Sequence, residues 1–270
     1  MIDIGGPPVY MMTSLTNAHE WLSYLPLIGF AALSAKLLAS GLWRTYRWFS
    51  AYLVFETLRI LFSFFVSHRS NLYARFYFVS EPLIWLLSML AVLEVYGMVL
   101  KSRPGIANWG RTGIFGAMVL SLVVSALMSS AGAQHPEIRY RLLHSFFLLS
   151  RFVTASLLLF LLAITAFLVW FPIALKRNTV LHCCLFAVFF LSKTVVFVVI
   201  TIFGVTSIMP VDSALFIAVA LCTGTWLIWL NQKGEEVPVT IGHSWNRDDE
   251  TRVLAQLDAI NTALLNSARE

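Results

Sequence analysis

Charge is scarce in this sequence. Only 12% of its 270 residues are Asp, Glu, Lys or Arg, about half of the roughly 25% that a soluble domain carries. An ordinary water-facing surface is thereby excluded for most of the chain. Cysteine is rarer still. Cys183, Cys184 and Cys222 fall inside apolar stretches, with no CxxC spacing and no loop framework. Neither a zinc site nor a disulfide scaffold is supported, and the three read as small buried residues. No Lys or Arg precedes Lys36. A secretory signal opens with a basic segment, so the first apolar run reads as a retained membrane helix. Catalytic motifs are missing too. HExxH, GxSxG, GxGxxG and a P-loop do not occur, and Asp212, at an edge, is the only Asp in an apolar run. Paired intramembrane aspartates are therefore excluded, and the expectation is that the protein is not an enzyme.

What the chain does have is apolar length. Hydrophobic residues make up 59% of it, gathered into about seven runs, and a bilayer core asks for roughly 20 apolar residues per helix. Lipid offers no partner to backbone N–H and C=O groups, so each run must be a helix. The expected fold class is an all-α membrane protein, a seven-helix bundle over 21–231, with spans at about 21–43, 47–68, 76–100, 112–132, 144–174, 179–204 and 211–231. Residues 1–20 form an extracytoplasmic segment, 232–247 a linker and 248–268 a cytosolic amphipathic helix. Trp21, Trp43, Trp48, Trp109, Trp170 and Trp229 lie near span edges, as an interfacial aromatic belt requires. Pro82 is expected near the start of the third helix, where proline costs little.

Orientation follows from Lys and Arg in the short loops. With the N-terminus outside, Arg44, Arg47, Lys101, Arg103, Arg111, Lys176 and Arg177 fall inside, and Arg69, Arg75, Arg139 and Arg141 outside. Residues 1–233 hold 16 Lys and Arg against 7 acids, whereas residues 234–270 hold 3 Arg against 7 acids. In that acidic tail Asp248 or Asp249 can cap a helix, and Val253, Leu257, Ile260 and Leu264 recur at helical spacing along one face. A lone helix of this length is marginal in water. The stripe is therefore expected to bury against a partner protein or a second copy of the chain, and its acidic flanks argue against insertion into anionic lipid.

Ionisable residues inside apolar runs are expensive and face the bundle interior. By depth they form two groups. Glu56, Arg59, Glu81, Arg151 and Lys193 belong to an outer group, Lys36 and Glu94 to an inner pair. Three readings are open: ion pairs that fix helix register, a polar pocket whose cationic excess suits an anionic or carboxylate-bearing ligand, or a proton or ion path. A retinal Schiff base at Lys193 is disfavoured, because microbial rhodopsins carry that lysine on the last helix, which has none here. His68, His144 and His182 lie at helix ends and read as interfacial. Only His68 with His144 could flank an outer haem, and no cofactor is expected.

Glu81-Pro82-Leu83, the run Leu93-Glu94-Val95-Tyr96-Gly97 into Arg103-Pro104-Gly105, and the tail from Trp245 through Leu265 resemble bacterial seven-helix membrane proteins of unknown function, of the kind abundant in acidobacterial genomes. The resemblance implies the fold, supplies no activity, and makes Glu81 and Glu94 the first positions to mutate; the expected location is the bacterial inner membrane. The leading expectation is a sensor or signalling scaffold with a polar intramembrane pocket and a partner-binding tail. The alternatives are a small transporter or channel for an anionic solute, or an accessory subunit of a membrane complex. Expected partners are the lipid bilayer and a protein bound through the tail, not nucleic acid.

Overall fold

The computed structural model describes residues 9–66, 71–101, 104–106, 108, 112, 113, 116, 119, 123, 138–170, 173–203, 208–241 and 247–267. The described helices are α1 (Val9–Ala39), α2 (Arg47–Phe65), α3 (Asn71–Val99), α4 (Ile138–Trp170), α5 (Arg177–Phe203), α6 (Ile208–Trp229) and α7 (Arg247–Ser267). Two short strands, β1 (Ile173–Lys176) and β2 (Pro238–Ile241), pair antiparallel, with Ile173 opposite Ile241 and Lys176 opposite Pro238. Six helices contain spans long and apolar enough to cross a membrane: Trp21–Ala39, Arg47–Phe65, Arg75–Val99, Leu149–Leu168, Arg177–Ile200 and Met209–Trp229. The chain therefore has the architecture of a multi-pass membrane protein. Leu25, Ile28, Leu58, Leu159, Leu221 and Ile228 are exposed on the outside of these helices, where acyl chains replace water as the neighbour.

The boundaries differ from expectation at several points. α1 begins at Val9 and ends at Ala39, and Gly41, in the left-handed region at φ 71°, turns the chain toward α2. This is the conformation that glycine adopts without a Cβ penalty. α3 starts at Asn71, so Pro82 lies inside the helix rather than in its first turn. Interior proline is tolerated in a bundle where neighbouring groups re-satisfy the freed carbonyl. The run expected over 144–174 stops at Trp170 and gives way to β1. Of the run expected over 112–132, Thr112, Gly113, Gly116, Val119 and Val123 are helical and exposed, and the rest lies outside the described residues.

The six spanning helices close into a ring. α1 packs on α2 and α6, α2 on α3, α3 on α4 and α5, and α5 on α4 and α6. Side-chain contacts give their directions. Tyr24 stacks on Phe64 and Phe30 meets Tyr52, so α1 and α2 are antiparallel. His19 bonds Ser213 while Lys36 Nζ donates to the Leu227 carbonyl, so α1 and α6 are parallel. Glu81 meets Ser150 and Tyr96 meets Phe160, so α3 and α4, neighbours in the ring, also run the same way. At Gly29 on α1, a Cβ would lie 2.5 Å from Thr223 Oγ1 on α6, so glycine sets how closely the two helices approach.

At one face of the ring the core is aromatic. Tyr46, Phe49, His182, Phe186 and Trp226 are all buried, with Phe49 5.2 Å from Phe186 and 5.0 Å from Trp226 between ring centroids. His182 is thus a core residue, not an interfacial one, and neither ring nitrogen has a hydrogen-bond partner among the described residues.

The same face carries a polar clasp where a linker was expected. Glu235 accepts hydrogen bonds from Tyr46 Oη, from Asn178 Nδ2 at 2.7 Å and from Lys176 Nζ at 3.0 Å. Asn178 Nδ2 also donates to the Asn231 carbonyl at 2.8 Å, and Asn231 Oδ1 accepts from the Gly234 N–H at 2.8 Å. An added Cβ at Gly234 would lie 2.1 Å from Asn178 Oδ1. Residues 232–241 are therefore built into the bundle. Burial pushes the Glu235 carboxyl up, but the hydrogen bonds from Tyr46, Asn178 and Lys176 outweigh it and hold the group below the usual carboxylate range. Burial and the adjoining carboxylate push the Tyr46 hydroxyl far above its ordinary value.

Two outcomes follow from this packing. A depressed carboxyl stabilises the fold above its unfolded value of about 4.3 and loses that contribution as pH falls through the folded value. Hydrogen-exchange protection of the β1–β2 ribbon should therefore drop on acidification below about pH 4, and Glu235→Gln should flatten that acid limb. Gly29→Ala should cost about 1–3 kcal/mol in thermal unfolding, and adding Thr223→Ala, which removes the nearest atom, should recover part of it.

Candidate functional site

Three ionisable groups meet between α2 and α3. Glu56, 3% exposed, lies one helical turn from Arg59, the spacing that puts two side chains on one face. Arg59 Nε donates to Glu56 Oε2 at 2.8 Å, and Arg59 Nη1 reaches Glu81 Oε2 on α3 at 3.2 Å. One guanidinium thus bridges two carboxylates, using the fork of donors that lysine lacks. The second oxygens are more weakly held. Tyr52 Oη lies 3.5 Å from Glu56 Oε1, and Ser150 Oγ on α4 lies 3.5 Å from Glu81 Oε1.

Beside this triad is a cavity of about 550 Å³ lined by residues of α2, α3, α4, α5 and α6. Its polar lining includes Arg59, Glu81, Ser150, Thr154, Lys193 and Asp212, and its apolar lining includes Trp85, Phe190, Phe197 and Phe216. A smaller cavity of about 180 Å³ adjoins Arg59 between Tyr73 and Tyr77. Lys193 Nζ sits 4.6 Å from the centroid of the Phe189 ring, a cation–π contact, and no carboxylate of the described residues comes within salt-bridge distance of it. On the side of the clasp the aromatic core lies below the cavity. Toward the opposite face the lining continues to Asp212 and Tyr73.

Glu56, Arg59, Glu81 and Lys193 are therefore brought into one region. Arg151 is not. It is half-buried on α4 and absent from the cavity wall. Its neighbour Ser150 takes that place, one residue and about 100° around the helix. The expected cationic excess depended on Arg151. Without it, Arg59 and Lys193 face Glu56, Glu81 and Asp212, and carboxylates outnumber cations. Sequence reasoning also missed Tyr73 and Tyr77, which carry no formal charge to betray their depth.

The expected inner pair separates. Lys36 donates to the Leu227 carbonyl on α6. Glu94 caps α2 from the neighbouring helix: Oε1 accepts from Arg47 N at 2.7 Å, and Oε2 from Trp48 N at 3.1 Å and Phe49 N at 3.2 Å. Tyr46, the residue before α2, offers no side-chain cap. A helix start leaves its first N–H groups without partners and carries a partial positive charge, so one carboxylate answers both needs.

In α7 the apolar stripe divides. Leu257 is 2% exposed, Val253 and Leu264 are half-buried, and Ile260 is 52% exposed. Asn261 Oδ1 accepts from Gly105 N at 2.8 Å, and Tyr96 Oη donates to the Ile106 carbonyl at 2.7 Å, tying α7 to α3 through residues 104–106. The haem test falls outside the described residues at His68, and at the side chain of His144. Cys183 and Cys222 are buried as expected, whereas Cys184 is exposed.

No family model matches the sequence, and no curated protein or solved structure matches it.

Arg59→Met should cost about 3–5 kcal/mol, because it leaves a buried and a half-buried carboxylate uncompensated. The triple change Glu56→Gln, Arg59→Met, Glu81→Gln should be markedly milder in the same unfolding assay. Glu94→Leu should cost about 1–3 kcal/mol by stranding backbone donors, with Glu94→Gln intermediate.

Proposed function

We propose that this protein is a seven-helix inner-membrane sensor or signalling scaffold that binds a small polar ligand in the α2–α6 cavity and reports through α7. The observation that carries this reading is Lys193. It is an intramembrane lysine lining a cavity of about 550 Å³, with no carboxylate within salt-bridge distance among the described residues. Charges placed only to fix register are neutralised by one another, as Arg59 is. A lysine left facing open space is what a ligand site needs.

A seventh crossing is supported by direction. α3 and α4 are parallel, so the chain between them has to return across the layer, and the apolar run over 112–132 is the segment able to do so. The clasp face gathers Arg44, Arg47, Lys101, Lys176, Arg177 and Lys233, which supports a cytosolic assignment for it, with the N-terminus outside. The bacterial setting rests on the resemblance alone. A sensor is favoured over a channel because the buried box of Tyr46, Phe49, His182, Phe186 and Trp226 blocks the cavity from that face. Ile260, exposed on α7, is the apolar residue left for a partner.

Native mass spectrometry of the full chain, extracted gently from its own membrane, tests the reading. A bound small molecule lost in Lys193→Ala is the expected result. A bound protein without any small molecule would overturn it and make the buried charges structural. Ile260→Asp should abolish binding of a cytosolic partner while leaving the melting temperature unchanged.

A further inference from the structure

We propose that the cavity takes a zwitterion of the amino-acid type, with its carboxylate on Lys193, its ammonium toward Glu81 and Asp212, and an apolar side group among Trp85, Phe190, Phe197 and Phe216. This rests on the ligand-site reading above and adds the ligand's chemical class.

The argument is a charge balance. Glu56 lies behind Arg59 and neutralises it at 2.8 Å. Facing the space are two cations, Arg59 and Lys193, and two carboxylates, Glu81 and Asp212, and of the two cations Arg59 is already bridged to Glu56 and Glu81. Glu81 has one oxygen engaged by Arg59 at 3.2 Å and the other only 3.5 Å from Ser150 Oγ, so it retains capacity for a donor. An anion alone would satisfy Lys193 and be repelled by Glu81 and Asp212. A cation alone would satisfy those carboxylates and leave Lys193 uncompensated in a low-dielectric layer. An uncharged ligand would leave both signs desolvated. A zwitterion answers both, and its zero net charge lets it occupy the interior without importing an unpaired charge.

The remaining wall fits the remainder of such a molecule. Trp85, Phe190, Phe197 and Phe216 are aromatic, and Val196, Ile200 and Leu215 are aliphatic. At about 30 Å³ per water-sized group, the volume admits a ligand of roughly 15–20 non-hydrogen atoms. Tyr73 and Asp212 lie at the end away from the clasp.

Isothermal titration of the full chain in lipid nanodiscs with four matched probes tests the class: L-phenylalanine, 3-phenylpropionate, phenethylamine and 3-phenylpropan-1-ol. L-Phenylalanine should bind saturably and at least tenfold tighter than each of the others. Lys193→Met should remove its advantage over phenethylamine, and Glu81→Gln, which keeps Glu56 on Arg59, should shrink its advantage over 3-phenylpropionate. Equal or tighter binding of a singly charged or uncharged probe overturns the zwitterion, as does failure of all four to bind. In either case a small molecule that co-purifies with wild type and is lost in Lys193→Ala leaves the ligand-site reading standing. Absence of that molecule together with failure of every probe removes both.

Discussion

α2 begins with N–H groups that its own sequence does not cap, and Glu94 of α3 supplies the acceptor for three of them. About two to three turns further along, α2 carries Glu56 and Arg59, and Arg59 reaches back to Glu81 on the same α3. The two helices are thus strapped together near both ends by groups that neither could leave bare in a low-dielectric layer. Each strap has a direction and a register. Together they set the depth of Arg59, and with it the wall of the cavity that α4, α5 and α6 complete.

The clasp applies the same constraint at the bundle's rim. Tyr46, the residue before α2, donates to Glu235, which also binds Lys176 and Asn178 at the start of α5. One carboxylate therefore joins the beginnings of α2 and α5 to the end of α6. The β1–β2 ribbon extends this join toward α7. Beneath it, Phe49, Phe186 and Trp226 interlock through edge and tilted ring contacts, so the end nearest the clasp is packed solid while the other half of the bundle keeps its open volume. Rigidity at one end and space at the other come from the same six helices.

The spans were legible because length and apolarity are local properties, and the depth of Glu56, Arg59, Glu81 and Lys193 followed from them. Partners were not legible in the same way. Glu94 was read as half of an ion pair with Lys36, yet its partners are backbone donors of another helix, which no side-chain pattern in the sequence marks. Arg151 was placed by depth alone; whether it or Ser150 faces Glu81 is a question of helix rotation, which an almost uniformly apolar run does not encode. Residues 232–241 carry glycine, proline and charge in the manner of a linker, and only the fit of Asn178 against Gly234 turns that composition into a joint. His182, read as interfacial from its position near the start of α5, is covered by rings contributed from α2 and α6.

Among the buried charges, Arg59 and Lys193 divide the work that depth alone seemed to assign to both. Arg59 is consumed by structure: its two carboxylates hold α2 against α3, and replacing it strands charge. Lys193 holds nothing to anything. Its ammonium rests on the Phe189 ring, a contact worth about 0.5–2 kcal/mol, well short of the several kcal/mol needed to desolvate an ion. The remainder of that cost falls to the Glu56 and Glu81 carboxylates nearby and to whatever occupies the cavity. A bundle that bridges its other deep cation to two carboxylates and leaves this one without a salt-bridge partner among the described residues has placed that demand on the wall of the cavity lined by α2 to α6.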